Sequence, residues 1–228
     1  MSRCIINVSC GSWYPKGQHR LSESLDSVRF LDDRLFWRDS VPQTSPPHNV
    51  IPYAFKPHAF LEARRQGYKS VLWVDSAVWA IKSLDPMFEY IEKEGYLLFR
   101  NGWSSGEWCS DAALKPLGIT REESFAYPHL MACVMGLNFD DDKANAFLDE
   151  WVALANDGIT FLGDWNNDKQ QVSSDSRVLG HRHDQTAASI VAYRSGMRNW
   201  LIPHETFLLY HSDGCVPKDT VCLLTRGM

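Results

Sequence analysis

The segment 178–197, VLGHRHDQTAASIVAYRSGM, puts two histidines, an arginine, an aspartate and a glutamine into five positions, His181 to Gln185, just before an apolar run with helical spacing. A helix cap, a metal site and a catalytic base all fit that grouping. Asp184, ahead of Gln185 and Thr186, has N-cap chemistry. A cap needs only the one carboxylate and leaves the preceding Gly-His-Arg-His unexplained. A carboxylate at a helix mouth can also take a proton from a hydroxyl or hold that hydroxyl in line for attack. His181, Arg182 or His183 would then face an anionic group or an acceptor, and Gly180 lets backbone approach a ligand closely.

Asp75 is the second acid with a chemical position, closing the apolar run SVLWVD at 70–75. Open α/β sheets bind ligands outside the carboxyl ends of their strands. There an acid can hold a divalent cation on a diphosphate, which neutralises charge on a leaving phosphate. The plainer alternative is that Asp75 caps the next turn through the amides of Ser76 and Ala77. Two aromatic loops complete the candidates. Residues 9–14, SCGSWY, follow the first strand, where Trp13 or Tyr14 can stack on a base or simply pack. Residues 101–111, NGWSSGEWCSD, form a Gly/Ser/Trp loop long enough to act as a lid, with Trp103 or Trp108 against a sugar.

These residues need elements to position them. CIINVS (4–9) is a β-branched run with the character of a buried strand. GSWYPKGQHR (11–20) is broken by Gly and Pro and reads as a loop, and a helix follows over 20–31. RLFWRD (34–39) is a short strand, and 41–52 is Pro-rich and irregular. From 53 to 99 the order is helix, strand, turn, helix, strand. Its second helix is opened by Asp85 as N-cap and Pro86 at N1. LMACVMGLNF (130–139) is another buried strand, an amphipathic helix covers about 141–157, and 161–177 is a polar loop. Alternating helices and apolar strands predict a largely parallel α/β sheet. No linker is visible, so one domain over 1–228 is expected.

Several of these stretches, in this order, resemble GT-A-fold nucleotide-sugar glycosyltransferases. KSVLWVDSAVWAIKSLDPMFEYI is similar to their central segment, an apolar strand ending in an Asp-x-Asp-type motif followed by a helix that opens with Leu-Asp-Pro. YAFKPHAFLEARRQGYKS resembles the helix before that strand, LMACVMGLNF with AFLDEWVALAND the acceptor-side strand and helix, and SDSRVLGHRHDQTAASIVAYRSGM the Asp-Gln segment opening a late helix. The likeness covers roughly 50–200. It implies a GT-A-like fold with a central, mostly parallel mixed sheet flanked by helices. It also implies transfer of a sugar from a nucleotide-diphosphate donor to an acceptor hydroxyl. Asp75, Ser76, Lys56, Gly11 and Tyr14 would face the donor, and His183, Gln185 and Trp103 the acceptor. Asp184 would be the base of an inverting reaction. The chain departs from the pattern at Asp75-Ser76-Ala77, where the usual second Asp is missing. One carboxylate holds Mn²⁺ or Mg²⁺ less strongly, so either a later residue completes the site or the metal is dispensable. The resemblance implies His211 as the second ligand beside Asp75, and the plainer alternative is a partly buried surface histidine.

Composition narrows the rest. The 228 residues are 44% hydrophobic and 22% charged, ordinary for a globular protein. A net charge of −5 argues against non-specific grip on nucleic acid or an anionic membrane. The six cysteines show no C-x-x-C pair, which argues against a zinc knuckle and for a reducing, cytoplasmic setting. No apolar run is long enough for a signal peptide or a membrane span. P-loop, dinucleotide and nucleophile-elbow motifs are absent. The expected partners are a nucleotide sugar and a carbohydrate or other hydroxyl-bearing acceptor. Two alternatives come from other classes. One is a non-catalytic sugar- or nucleotide-binding module on a degenerate GT-A scaffold. The other is a metal-dependent phosphohydrolase using His181, His183, Asp184 and Asp75.

Overall fold

The structure, a computed structural model, describes residues 2–203, 205–210 and 216–225. In chain order the elements are β1 (Arg3–Ser9), α1 (Tyr14–Ser27), β2 (Asp33–Arg38), α2 (Phe55–Arg65), β3 (Ser70–Val74) and β4 (Val78–Ala80). Then come α3 (Asp85–Glu94), β5 (Tyr96–Leu97), β6 (Arg100–Ser104), a 3-10 turn (Gly106–Trp108), α4 (Asp111–Leu117) and α5 (Arg121–Ala126). The remainder is β7 (Pro128–Leu130), β8 (Val134–Asn138), α6 (Asp142–Ala155), α7 (His183–Arg194), β9 (Leu208–Tyr210) and β10 (Leu223–Thr225).

The central sheet runs β2-β1-β3-β8-β5. β2, β1 and β3 are mutually parallel, while β8 is antiparallel to both β3 and β5. The expected mostly parallel mixed sheet flanked by helices is therefore present. Its inner strands β3 and β8 are buried along their whole length because both faces are covered. Cys4, Ile6, Val8, Val71 and Trp73 join the core made with α2, α6 and α7. The alternate residues Ile5, Leu72 and Val74 join the core made with α1 and α3. The period-2 alternation of strand side chains thus splits one sheet between two apolar cores. Smaller sheets, β4-β10-β9 and β6-β7, sit beside the main one.

The sequence reading misplaces one boundary that matters to the site. Residues 14–20, expected as loop, form the first half of α1. Pro15 is no obstacle, because the first helical turn does not need its N–H. Gly17 is buried where α1 crosses the turn after β3: a Cβ there would lie 2.2 Å from the Ser76 carbonyl oxygen. A buried polar cluster locks this crossing. Asn7 Nδ2 donates to Val74 O (2.6 Å), while Asn7 Oδ1 accepts from Gln18 Nε2 (2.9 Å) and Ser76 Oγ (3.3 Å). The loop expected at 101–111 is β6 and the 3-10 turn, and α3 begins at Asp85 with Leu84 as its N-cap.

In an unobstructed helix, Gly17→Ala would stabilise by up to about 1 kcal/mol. Against the Ser76 backbone the sign reverses, and overpacking should cost about 1–3 kcal/mol. A urea midpoint equal to or above that of the unsubstituted chain would show that this crossing is not tight.

Candidate functional site

The cavity at the carboxyl ends of β1 and β3 has a volume of about 320 Å³. Asp75, the residue after β3, and Asp184, the second residue of α7, both line it, although they are far apart in the chain. What brings them together is Lys56, in the first turn of α2. Its Nζ lies 2.8 Å from Asp184 Oδ2 and 3.7 Å from Asp75 Oδ1, and it donates to Ala132 O at 2.9 Å. It also lies 5.2 Å from the Trp73 ring centroid. The contact with Asp184 is an ion pair in distance; among the described residues no aligned hydrogen bond reaches that oxygen.

The lysine side chain is 5% exposed and that of Asp184 6%. A buried ammonium at a helix N-terminus opposes the helix dipole, a penalty of about 0.3–1 kcal/mol. Opposite unit charges about 4 Å apart attract by about 4 kcal/mol at an effective dielectric constant of about 20, so the carboxylates outweigh the dipole. Burial alone would lower the Lys56 pKa, yet Asp184 and Asp75 outweigh it and the value is raised. Asp75 moves upward: enclosure dominates, and Lys56 and the 2.6 Å bond from Trp73 Nε1 to its Oδ1 only partly offset it. Its side chain is 34% accessible, all of it compatible with facing the cavity it lines. The turn after β3 is closed by backbone, Val78 N to Asp75 O at 2.9 Å, so the carboxylate is not used as a cap.

Asp184 is not the N-cap of α7 either. Arg182 holds that position and Asp184 lies inside the first turn. Arg182 lines the cavity, its guanidinium 3.9 Å from the Trp108 ring centroid and 4.2 Å from that of Trp165. Next to it His183 takes a left-handed backbone, φ 44°. Tyr53 does the same at φ 60°, and the two rings stack at 5.5 Å. Left-handed non-glycine residues cost of order 1–3 kcal/mol and persist where surroundings over-determine them.

Of the other predicted donor residues, Lys56, Ser76 and Tyr14 line the cavity and Gly11 does not; its neighbour Cys10 does. The Ser76 hydroxyl is directed inward to Asn7. On the acceptor side Gln185 lines the cavity and donates to Leu130 O at 2.6 Å. His183 is displaced from its expected place: its ring is 2.9 Å from Phe161 O, behind Tyr53, and is not in the cavity wall. Trp103 lines a neighbouring cavity of about 640 Å³ that shares Asn101, Met131 and Tyr210 with the first. His48, Tyr53, Trp165 and Tyr210 are wall residues that sequence reasoning missed. None sits in a recognisable motif, and tertiary packing alone brings them here.

The phosphohydrolase alternative fails on geometry. Ser110 N–H donates to His181 Nδ1 (3.2 Å), so Nε2 carries the proton and donates to Thr160 O (2.8 Å). Both ring nitrogens of His181 are thus engaged, and His183, whose Nδ1 is 2.9 Å from Phe161 O, is not grouped with two further ligands among the described residues. Nor do the described residues fit Mn²⁺ or Mg²⁺, which want about six oxygens. No group of three His, Cys, Asp or Glu among them is arranged for a metal. Asp75 Oδ1 already accepts from Trp73, and the nearest other oxygens surround the Lys56 ammonium. His211, the other expected ligand, lies outside the described residues.

No family model matches the chain, and no curated protein matches it in sequence. Several solved structures align with it. A glycosyltransferase that glycosylates the major capsid of PBCV-1 is 16% identical, over 69% of this chain and 68% of that one, with a TM-score of 0.44. The galactosyltransferase LgtC, solved with donor and acceptor sugar analogues, is 12% identical over 98% of this chain and 86% of that one, TM-score 0.46. An active-site mutant of LgtC is 11% identical over the same shares, TM-score 0.47. These neighbours are glycosyltransferases. No described helix is long and apolar enough to cross a membrane.

The site's frame predicts an acid limb in stability. Burial pushes His181 and His129 down to about 3. The unfolded chain takes up these protons near pH 6.5 and the native chain only near 3. Their stabilisation is complete above about pH 6.5 and is lost as pH falls toward 3, by about 1.4 kcal/mol per pH unit for each. Urea midpoints should drop between pH 6.5 and 5, and less steeply in His181→Gln. Equal midpoints across that interval would contradict the assignment.

Proposed function

We propose that the chain is a single-domain glycosyltransferase that moves a sugar from a nucleotide-diphosphate-sugar donor to an acceptor hydroxyl. The observation that carries this reading is the meeting of Asp75 and Asp184 on one buried ammonium in the wall of one cavity. An acid near the donor and another near the acceptor would suit such a transfer, and these two carboxylates from remote parts of the sequence support that reading.

In this reading the diphosphate lies at the β3 end of the cavity. The Arg182 guanidinium, held between two indoles, supplies positive charge to the leaving phosphate. Tyr14, at the head of α1, offers a ring to the base or ribose. Asp184 accepts the proton of the acceptor hydroxyl as its oxygen attacks the anomeric carbon. The bond from that carbon to the phosphate oxygen breaks, its electron pair leaves on the nucleoside diphosphate, and the anomeric configuration inverts. Gln185, immobilised by Leu130 O, borders the same space. The acceptor enters through the second cavity, where Trp103 is 47% exposed and presents a face on which a sugar ring can stack.

One observation favours the non-catalytic alternative. Asp184 Oδ2 faces the Lys56 ammonium at 2.8 Å rather than standing free, and a module that only binds a sugar nucleotide has no need of a free carboxylate. Turnover separates the two.

A nucleotide sugar at a hundredfold excess over its dissociation constant should stabilise the chain by about 3 kcal/mol, seen as a rise in melting temperature. Asp184→Asn should keep that rise, since Asp75 still faces Lys56, and lower transfer by about 10²–10⁴-fold. No response to any nucleotide sugar would remove the transferase reading. Donor stabilisation without turnover in the unsubstituted chain would leave the binding module.

Trp103→Ala should raise the acceptor KM with little change in donor KM. An unchanged acceptor KM would move the acceptor away from the second cavity.

A further inference from the structure

The point occupied by Lys56 Nζ is a cation site in its own right. Three oxygens from three separate parts of the chain converge on it: Asp184 Oδ2 at 2.8 Å, Ala132 O at 2.9 Å and Asp75 Oδ1 at 3.7 Å. Two aromatic faces enclose it, Trp73 at 5.2 Å and Tyr53 at 5.9 Å. The lysine residue is 4% exposed. Oxygens converging at this separation suit an ammonium, whereas Mg²⁺ demands oxygen ligands at about 2.1 Å in near-octahedral array and usually keeps several waters.

We infer that Lys56 is the site's own cation: its tethered ammonium stands among the oxygens where a free divalent ion would otherwise be held, and the cavity receives an anionic ligand without a metal. The sequence agrees at a second place. The position two residues after Asp75 is Ala77, and the residue between, Ser76, turns its hydroxyl to Asn7. Neither adds an oxygen ligand on the cavity side. A divalent ion placed on the accessible face of Asp75 would meet the charge of Lys56 and that of Arg182 in the same wall. That the anion is the diphosphate of a sugar nucleotide rests on the reading above. The exclusion of the metal does not.

The test is a titration with Mn²⁺ alone on the full chain, following the EPR signal of free Mn²⁺ at pH 7. The unsubstituted chain should leave the signal unchanged into the millimolar range. Lys56→Met opens the oxygen site and leaves two carboxylates facing each other. It should take up one ion at least tenfold more tightly than the unsubstituted chain, and adding Asp75→Asn should abolish the uptake. Lys56→Gln is the second variant should Lys56→Met not fold. The melting temperature of the unsubstituted chain should also be the same in 1 mM Mn²⁺ as in EDTA.

Stoichiometric uptake by the unsubstituted chain that Asp75→Asn removes would overturn the inference. So would a folded Lys56 variant that binds no ion, since the ammonium would then not be what fills the place. Thermal shifts with nucleotide sugars separate this from the transferase reading. Shifts that appear only with Mn²⁺ would end the inference and leave the transferase. Shifts equal in EDTA support the inference, and no shift under either condition ends the transferase reading while the Mn²⁺ titration still stands.

Discussion

The arrangement depends on one buried ammonium shared by two carboxylates. Lys56 ties the start of α2 to the end of β3, the start of α7 and the chain leading into β8. Each of those segments has its own reason to be where it is: the strand is apolar on both faces, and α2 and α7 bury Phe60, Ala188 and Ile190 against the sheet. Burial in this core takes the side chains of Lys56 and Asp184 out of water, which costs several kcal/mol per ion unless they are paired. Removing one partner of such a pair costs about 3–5 kcal/mol, far more than the pair adds over a neutral packing of the same volume. The cluster is therefore poor evidence for stability and good evidence for a constraint. It ties four segments to one another: the start of α2, the end of β3, the start of α7 and the chain leading into β8.

A second cation is treated in the opposite way. Arg182 is stacked between Trp108 and Trp165 and donates to Trp165 O at 3.1 Å, and among the described residues no carboxylate forms an ion pair with it. Stacking suits a guanidinium, which is planar and weakly hydrated. Gly180 makes this possible, since a Cβ there would lie 2.1 Å from the same Trp165 carbonyl oxygen. The loop at 163–166 thus closes over the chain just ahead of α7. His183 then turns left-handed, and the next residue, Asp184, is delivered to the cavity wall. The crowded His181–Gln185 segment is accounted for residue by residue: His181 braces two backbone groups, Arg182 lines the cavity, His183 makes the turn, Asp184 meets Lys56 and Gln185 fastens to Leu130.

Lys56 was suggested only by the resemblance, whereas that Asp75 and Asp184 would lie near one wall was legible in the sequence because an alternating α/β pattern says where strand ends and helix starts converge. The central sheet was legible for the same reason, through the period of its apolar residues. What sequence alone did not show was that one lysine would touch both acids, because that contact depends on how far α2 and α7 tilt. The start of α1 was misjudged because Gly and Pro read as breakers, whereas Pro15 sits in a first turn and Gly17 at a helix crossing. α5 carries a signal that was open to reading, the Thr120–Glu123 capping box. α4 is short and holds Pro116, so nothing periodic marked it. His183 looked like an acceptor ligand only because its neighbours are polar. Its positive φ, which turns the ring behind Tyr53, has no signature in composition.

The two acids are alike in type and unlike in setting, and the difference assigns them. Lys56 is weighted toward Asp184, at 2.8 Å against 3.7 Å for Asp75. Asp75 is the more accessible of the two, and enclosure shifts it upward. Asp75, Asp184, Lys56 and Arg182 carry formal charges that cancel, so an incoming dianion upsets a balanced wall. The cheapest correction is a proton on the acid least supported by the ammonium, which is Asp75. Under the proposed function, a protonated Asp75 would donate to a phosphate oxygen rather than repel it, while Asp184 would keep Lys56 as its counter-ion. In that reading the difference between the two acids follows from where a single lysine points, 2.8 Å from Asp184 and 3.7 Å from Asp75.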